Sequence, residues 1–294
     1  MSLIADQEIL LLDILKIIAP DSSATTLRSW IEKGRVVVSG QVASKAKMMV
    51  HKGQEVIIGH RVNFIHGGIK ILFEDDHLVV IEKPEGLLSV ATDFKKTHNV
   101  HSFLKKRLHA GRVFPVHRLD RDTSGVMIFA LSESSRSYFK EQFKDHTIEK
   151  IYYALVEGKV KEKTGTWESY LREDDNYFVK STSNVFDGKL ATTHYEVIQQ
   201  NANMTLLRLH LETGRKNQLR VHCSENGFPI VGDKKYGSKT NPLKRVCLHS
   251  QKLSFVHPET QKSLSFESPL PKAFQLHPIS SHAWGEKSNP LWST

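Results

Sequence analysis

The sequence predicts an α+β protein, with a mixed, largely antiparallel sheet and flanking helices, preceded by a small α+β unit of its own. Two observations predict it. Apolar runs of strand length follow one another across hairpin-length turns, as 69–73 and 78–81 do around Glu74-Asp75-Asp76-His77. Helical and strand patterns also alternate without the steady strand–helix–strand beat of a parallel sheet. At 294 residues, with 39% apolar and 25% charged side chains, the chain is long enough for one large core and one small one.

Taken in order, residues 9–18 carry helical apolar spacing, which Pro20-Asp21-Ser22-Ser23 breaks. Thr25 or Thr26 is placed to cap a second helix through Lys33, with Gly34 as its stop. Strands at 35–38 and 55–58, turned at Ser39-Gly40 and Lys52-Gly53, complete a unit spanning 1–62. A larger domain is expected over 63–280. It opens with a glycine-containing linker, the two strands at 69–73 and 78–81, and a turn at Pro84-Glu85-Gly86. A basic helix follows over 100–108, then apolar runs at 113–116 and 126–131 around a charged loop. Ser132 is a natural N-cap for a helix to Lys144. Strands are expected at 151–156, 177–181, 191–199 and 204–211, a helix over 216–225, and strands at 246–255 and 264–266. Residues 281–294 read as a polar tail.

The net charge is +9, from 41 Lys+Arg against 32 Asp+Glu. That balance suits a polyanionic partner. Residues 215–252 hold nine lysines and arginines, opposed only by Glu225 and Asp233. No run approaches the roughly 20 apolar residues of a membrane span, and the acidic start lacks a basic signal region. Cys223 and Cys247 have no metal-ligand spacing and make no disulfide framework. A cytoplasmic protein with reduced thiols is expected.

The chemistry concentrates in His117-Arg118-Leu119-Asp120-Arg121-Asp122-Thr123-Ser124-Gly125. This loop is richer in charge than a turn requires, and it lies between two buried strands that would hold it rigidly. Asp122-Thr123-Ser124-Gly125 also suits plain turn chemistry. In Glu212-Thr213-Gly214-Arg215-Lys216-Asn217-Gln218-Leu219-Arg220, Gly214 permits a sharp turn into a helix. Arg215 and Arg220 flank buried positions there, and either is a good partner for a carboxylate, which a neighbouring cation keeps ionised. On the strand at 150–158, alternation sends Tyr152 and Tyr153 to opposite faces, one to the core and one free to stack on a base. The segment 227–237 is a glycine-punctuated basic loop without the spacing of a Walker or dinucleotide motif.

Together these segments resemble the RluA-type pseudouridine synthase family. His117-Arg118-Leu119-Asp120-x-x-Thr123-Ser124-Gly125 is similar to its catalytic motif, and Lys150-x-Tyr152-x-Ala154-x-Val156-x-Gly158 to its tyrosine motif. Thr213-Gly214-Arg215-x-x-Gln218-Leu219-Arg220-x-His222 and Gly232-Asp233-x-x-Tyr236-Gly237 are similar to its third, and Lys83-Pro84-x-Gly86-Leu87 and Leu248-His249-Ser250 also match. Asn217 stands where the family usually has histidine, and altered loop anchoring is expected from it. The N-terminal unit resembles an S4 RNA-binding domain through Ile31-Glu32-Lys33-Gly34-Arg35-Val36-x-Val38-x-Gly40, although acids nearly balance its basic residues.

The resemblance implies a pseudouridine synthase fold and the isomerisation of uridine to pseudouridine within RNA, with no cofactor and no metal. It assigns Asp120, Tyr152 and Arg220 to catalysis, and Arg118, Leu119, Thr123, Arg215 and Gln218 to substrate binding. Arg118 would fill the gap left by the extruded base. The implied partner is RNA, with large-subunit ribosomal RNA favoured over transfer RNA, and a monomer is expected. Two other classes compete. A glycoside hydrolase needs two carboxyls spaced about 5 Å or more across the bond, which Asp120 and Asp122, two apart in one turn, suit poorly. A noncatalytic RNA-binding protein would keep the basic surface without needing Asp120.

Overall fold

The computed structural model describes residues 2–276 apart from 33–34, 40, 44, 59–62, 93–96 and 109–111. The chain divides into two compact units, Met1–Leu72 and Phe73–Thr294. The segment expected as a linker contains the strand Asn63–Ile65, which pairs antiparallel with Ile69–Glu74 across a turn. The tail at 281–294, Gly34 and Gly40 lie outside the described residues.

In the first unit the strand Glu55–Ile58 pairs with Ser2–Ile4 on one side and Val36–Val38 on the other. Helices Leu11–Ile18 and Ala24–Glu32 bury Leu11, Ile14, Leu15, Leu27 and Ile31 with Val36 and Val56. The first helix starts later than its apolar spacing suggests, because Ile9–Leu10 pairs as a short strand with Met49–Val50. The second is capped by Ser23, whose Oγ accepts from the Thr26 backbone N–H at 3.1 Å, rather than by either threonine.

The second unit is built on one large sheet. Its strands run in the order Val179–Thr182, Thr164–Glu173, Lys189–Gln200, Met204–Leu211, Glu149–Glu157, Leu248–Val256, Ser124–Ala130, Leu78–Lys83. Every neighbouring pair here whose register is resolved is antiparallel except Ser124–Ala130 beside Leu248–Val256. The sheet is thus mixed and largely antiparallel, as the sequence predicts. All seven residues of Ser124–Ala130 are buried, which fits a central strand covered on both faces. Helix Glu133–Lys144 is capped by Ser132, whose side chain accepts from the Ser135 N–H, and its Phe139 ring meets Phe255 edge-on at 5.3 Å. The strand Thr164–Glu173 is absent from the sequence expectation. Its apolar residues Trp167, Tyr170 and Leu171 fall at helix-like intervals, and only Trp167 and Leu171 are buried, so the two-residue alternation is missing.

The parallel pair fixes where the charged loop ends. Gly125 lies opposite Ser250 at φ +114°, and a Cβ on it would sit 2.0 Å from the Ser250 carbonyl oxygen. Only glycine permits that approach. Among the described residues no helix is long and apolar enough to cross a membrane.

Candidate active site

The loop carrying Asp120 is tied down along its length. The Leu119 N–H donates to Ser89 Oγ at 3.1 Å, and that hydroxyl donates back to the Leu119 carbonyl at 2.6 Å. The Thr123 N–H donates to the Asp120 carbonyl at 3.2 Å. Lys83 is fully buried beneath the loop and donates to the carbonyls of Pro84, Leu87 and Arg121 at 2.8, 2.8 and 3.0 Å. Burial pushes its pKa down to about 7, against the opposing pull of Asp122 and Asp120. At the far end Arg245 donates to Ser124 Oγ at 2.8 Å, and the same hydroxyl meets His249 Nδ1 at 2.8 Å. Burial holds His249 neutral, with its pKa pushed down to about 4.

This anchoring leaves the Asp120 carboxylate half-exposed at the mouth of a cleft. Its Oδ2 accepts from Asn217 Nδ2 at 2.6 Å and from Arg220 Nη1 at 3.3 Å. Among the described residues no donor occupies Oδ1. Asp122, the carboxylate a hydrolase would need as partner, is paired with Arg121 at 2.9 Å and does not line the cleft.

Arg220 corrects the sequence reading in one respect. Its strong partner is Asp233, gripped through Nε–Oδ2 at 2.6 Å and Nη2–Oδ1 at 2.8 Å, and Asp120 receives the third donor. The Asp233 side chain is 1% exposed and that of Arg220 is 12% exposed, so this is a nearly buried bidentate pair. Burial disfavours the guanidinium charge, but Asp233 and then Asp120 more than offset it and raise the Arg220 pKa. The Arg220 guanidinium carbon lies over the face of the Tyr236 ring, 4.8 Å from its centroid.

Tyr152 projects from Glu149–Glu157 into the same cleft and is itself 8% exposed. Burial pushes its phenol up to about 12, so it is protonated at neutral pH and suited to stacking or to donating a proton, not to acting as a phenolate base. Leu211, Leu219 and Leu248 supply apolar walls.

All eight side chains expected at the site line this one cleft: Arg118, Leu119, Asp120, Thr123, Tyr152, Arg215, Gln218 and Arg220. Their burial separates them. Arg118 and Arg215 are exposed, and Leu119, Thr123 and Gln218 are buried. Gln218 builds the turn rather than reaching outward. Its Oε1 accepts from Thr213 Oγ1 and the Arg215 N–H, and its Nε2 donates to the Thr192 carbonyl and Thr193 Oγ1, which uses every position on the amide. Arg215 Nε donates to the Leu190 carbonyl at 2.8 Å, and the residue is exposed.

Three positions make contacts that the sequence reading did not assign. Asn217, expected to alter loop anchoring, touches the carboxylate itself. Asp233, quoted within a motif and counted against the basic stretch, holds Arg220. Lys83, also quoted only within a motif, anchors the loop from below. Much of that basic stretch is committed internally: Arg220 to Asp233, Arg245 to Glu85 and Ser124, Lys252 to Glu149, and Lys216 to Glu173. Lys234, Lys239 and Lys244 remain exposed. Cys223 and Cys247 are buried and free. Among the described residues no group of three His, Cys, Asp or Glu side chains is placed to hold a metal ion.

The cleft thus brings together a nearly buried arginine, the aspartate that receives its third donor and a buried tyrosine, on a largely antiparallel sheet. Comparison with known proteins identifies the class to which such a chain belongs. Residues 77–225 match the RNA pseudouridylate synthase family. The chain is 35% identical over 278 residues to the ribosomal large subunit pseudouridine synthase D of Nitrosomonas europaea, covering 86% of this chain and 78% of that one. It is 31% identical over 262 residues to the uncharacterized RNA pseudouridine synthase YhcT of Bacillus subtilis, covering 85% and 86%. The solved structure of human RNA pseudouridylate synthase domain containing 4 superposes with a TM-score of 0.58 at 27% identity, covering 69% of this chain and 89% of that one. The chain belongs to the RluA-type pseudouridine synthase family and is an isomerase acting on RNA.

Proposed function

We propose that this enzyme converts specific uridines of large-subunit ribosomal RNA to pseudouridine, with Asp120 as the reacting carboxylate. The observation that carries the reading is the state of that carboxylate. Asn217 and Arg220 hold one oxygen, the other has no donor among the described residues, and the residue lines a cleft with Tyr152. Such a group is fixed in direction yet has a free oxygen to present to a ribose. In the reaction the N1–C1′ bond breaks, the uracil turns within the cleft, C5 bonds to C1′ and loses its proton, and N1 gains one, so the sum is an isomerisation. Asp120 has two routes to this: attack at C1′, or removal of the C2′ proton. Both use the free oxygen.

The uridine must leave its stack to enter, at a cost of a few kcal/mol. Tyr152 offers a ring to the extruded base, Arg118 fills the vacated space, and the exposed Lys234, Lys239 and Lys244 attract the phosphate backbone. The choice of ribosomal RNA is supported by relatives whose names specify the large ribosomal subunit. The N-terminal unit, with two helices packed on a small sheet, serves in this reading as an S4-like RNA-binding module.

The test is Asp120→Asn assayed for pseudouridine on RNA from cells lacking this protein. Wild-type enzyme restores modification at discrete uridines. The variant, isosteric but without the charge, loses at least about 10³-fold in rate. Undiminished modification by Asp120→Asn would falsify the catalytic reading. Mapping the restored sites to transfer RNA would replace the proposed substrate.

A further inference from the structure

The donors on Asp120 are themselves held, and both lead to one residue. Asn217 sits at φ +53°, in the left-handed region that asparagine tolerates better than most residues, directly before helix Gln218–Glu225. Its side chain bridges two groups. Nδ2 donates to Asp120 Oδ2 at 2.6 Å, and Oδ1 accepts from the Tyr236 hydroxyl at 3.3 Å. An amide can present either end, and a rotated Asn217 would set its oxygen against the carboxylate. The carboxylate, which can only accept, selects the orientation with Nδ2 toward it, and the Tyr236 hydroxyl anchors that orientation by donating to the other end. Burial raises the Tyr236 pKa, so that hydroxyl carries its proton at neutral pH. The same ring lies against the Arg220 guanidinium at 4.8 Å. Tyr236 is in turn fixed by Phe178, whose ring stacks on it at 4.8 Å and 28°, and is 4% exposed.

We propose that Tyr236 and Asn217 are positioning residues for the reacting carboxylate. Tyr236 steadies both donors on Oδ2, one through its hydroxyl and one through its ring face, and so keeps Oδ1 turned to the substrate. This rests on Asp120 being the reacting group, and it assigns neither Tyr236 nor Asn217 contact with the RNA. Because the nearer donor is an amide, the arrangement has no group that changes charge between pH 5 and 8 at that contact.

Two variants test it beside Asp120→Asn, each with its thermal midpoint recorded. Tyr236→Phe keeps the stack on Arg220 and Phe178 and removes only the hydroxyl. Turnover falls about tenfold with KM for the RNA unchanged, as expected for one orienting hydrogen bond. Asn217→Asp places a second carboxyl against Asp120, and two carboxylates so close cannot both ionise freely. At low pH the new carboxyl is protonated and donates as the amide does. As pH rises it ionises and the donor is lost. Turnover of Asn217→Asp therefore declines about tenfold or more from pH 5 to pH 8 relative to wild type at each pH. A residue that merely filled space would lower activity without adding that limb. Wild-type turnover in Tyr236→Phe, or a pH profile of Asn217→Asp parallel to wild type, beside an inactive Asp120→Asn overturns the positioning role alone. An active Asp120→Asn removes the underlying catalytic reading, and the proposal with it.

Discussion

Two largely buried cations sit near the loop that carries Asp120, and their surroundings push them in opposite directions. Arg220 is paired with the buried Asp233 and with Asp120, and its pKa is raised. Lys83 is more deeply buried, but its hydrogen bonds go to three backbone carbonyls, and its pKa falls to about 7. Both lose solvation. A full opposing charge at hydrogen-bond distance offsets that loss, and carbonyl dipoles offset only part of it. The enzyme thus has a permanent cation against its carboxylate and a titratable one under the loop that carries it. The largest effect on the fold is expected where this contrast is sharpest. Arg220→Met leaves Asp233 buried and unpaired and costs about 3–5 kcal/mol of stability by denaturant unfolding. Removing both charges, as Arg220→Met with Asp233→Leu, recovers a large part of that stability without recovering activity. If the double variant is no more stable than the single one, the pair is not what holds this corner.

Lys83 gives a smaller and pH-dependent effect. Its folded pKa of about 7 lies below the ordinary lysine value of 10.5. Below pH 7 both folded and unfolded chains carry the proton, and the folded state bears the whole cost of burying it. Between pH 7 and about 10 the unfolded chain binds more protons than the folded one, so stability rises with pH over that window. Lys83→Met abolishes this slope. Wild type gains on the order of 2 kcal/mol relative to the variant between pH 7 and 9, read from urea midpoints at each pH. A constant difference across that range would show that the three carbonyls stabilise the ammonium as fully as Asp233 stabilises Arg220.

These two cations also show how far the sequence could be read. Local signals carried well. Ser132 before its helix, the strand Met204–Leu211 and the charged loop between two apolar runs all stand where residue pattern places them. Motif resemblance brought eight side chains to one cleft. What failed was pairing across the fold. Nothing in the spacing of Arg220 and Asp233 shows that a loop turning at Gly232 returns the acid to the arginine. That return depends on a close approach in which a Cβ on Gly232 would stand 1.9 Å from the Arg245 carbonyl oxygen. The resemblance assigned Gln218 to substrate, and two of the neighbours that consume its amide come from Thr192 and Thr193, a strand away. Thr164–Glu173 went unseen because burial of Trp167 and Leu171 four residues apart mimics a helix face.

The smallest effect on the fold is expected at the third cation of the site. Arg118 is adjacent to the loop's buried Leu119 yet exposed, and among the described residues no acceptor holds its guanidinium. Arg118→Ala should therefore shift stability by less than about 0.5 kcal/mol. Its function should suffer all the same, because an unpaired cation at the cleft mouth is free for RNA. Two uses of it predict different salt behaviour. As a phosphate contact, its loss lowers the slope of log affinity against log salt by about one. As a side chain that fills the space of the extruded base, its loss leaves that slope unchanged and lowers kcat/KM about tenfold, since the base returns to its stack more readily. The second outcome is expected, because Arg118 lines the cleft with Asp120 and Tyr152 and not the outer surface where Lys234, Lys239 and Lys244 lie exposed. A reduced salt slope with unchanged kcat/KM at low salt would move Arg118 to the phosphate-binding surface.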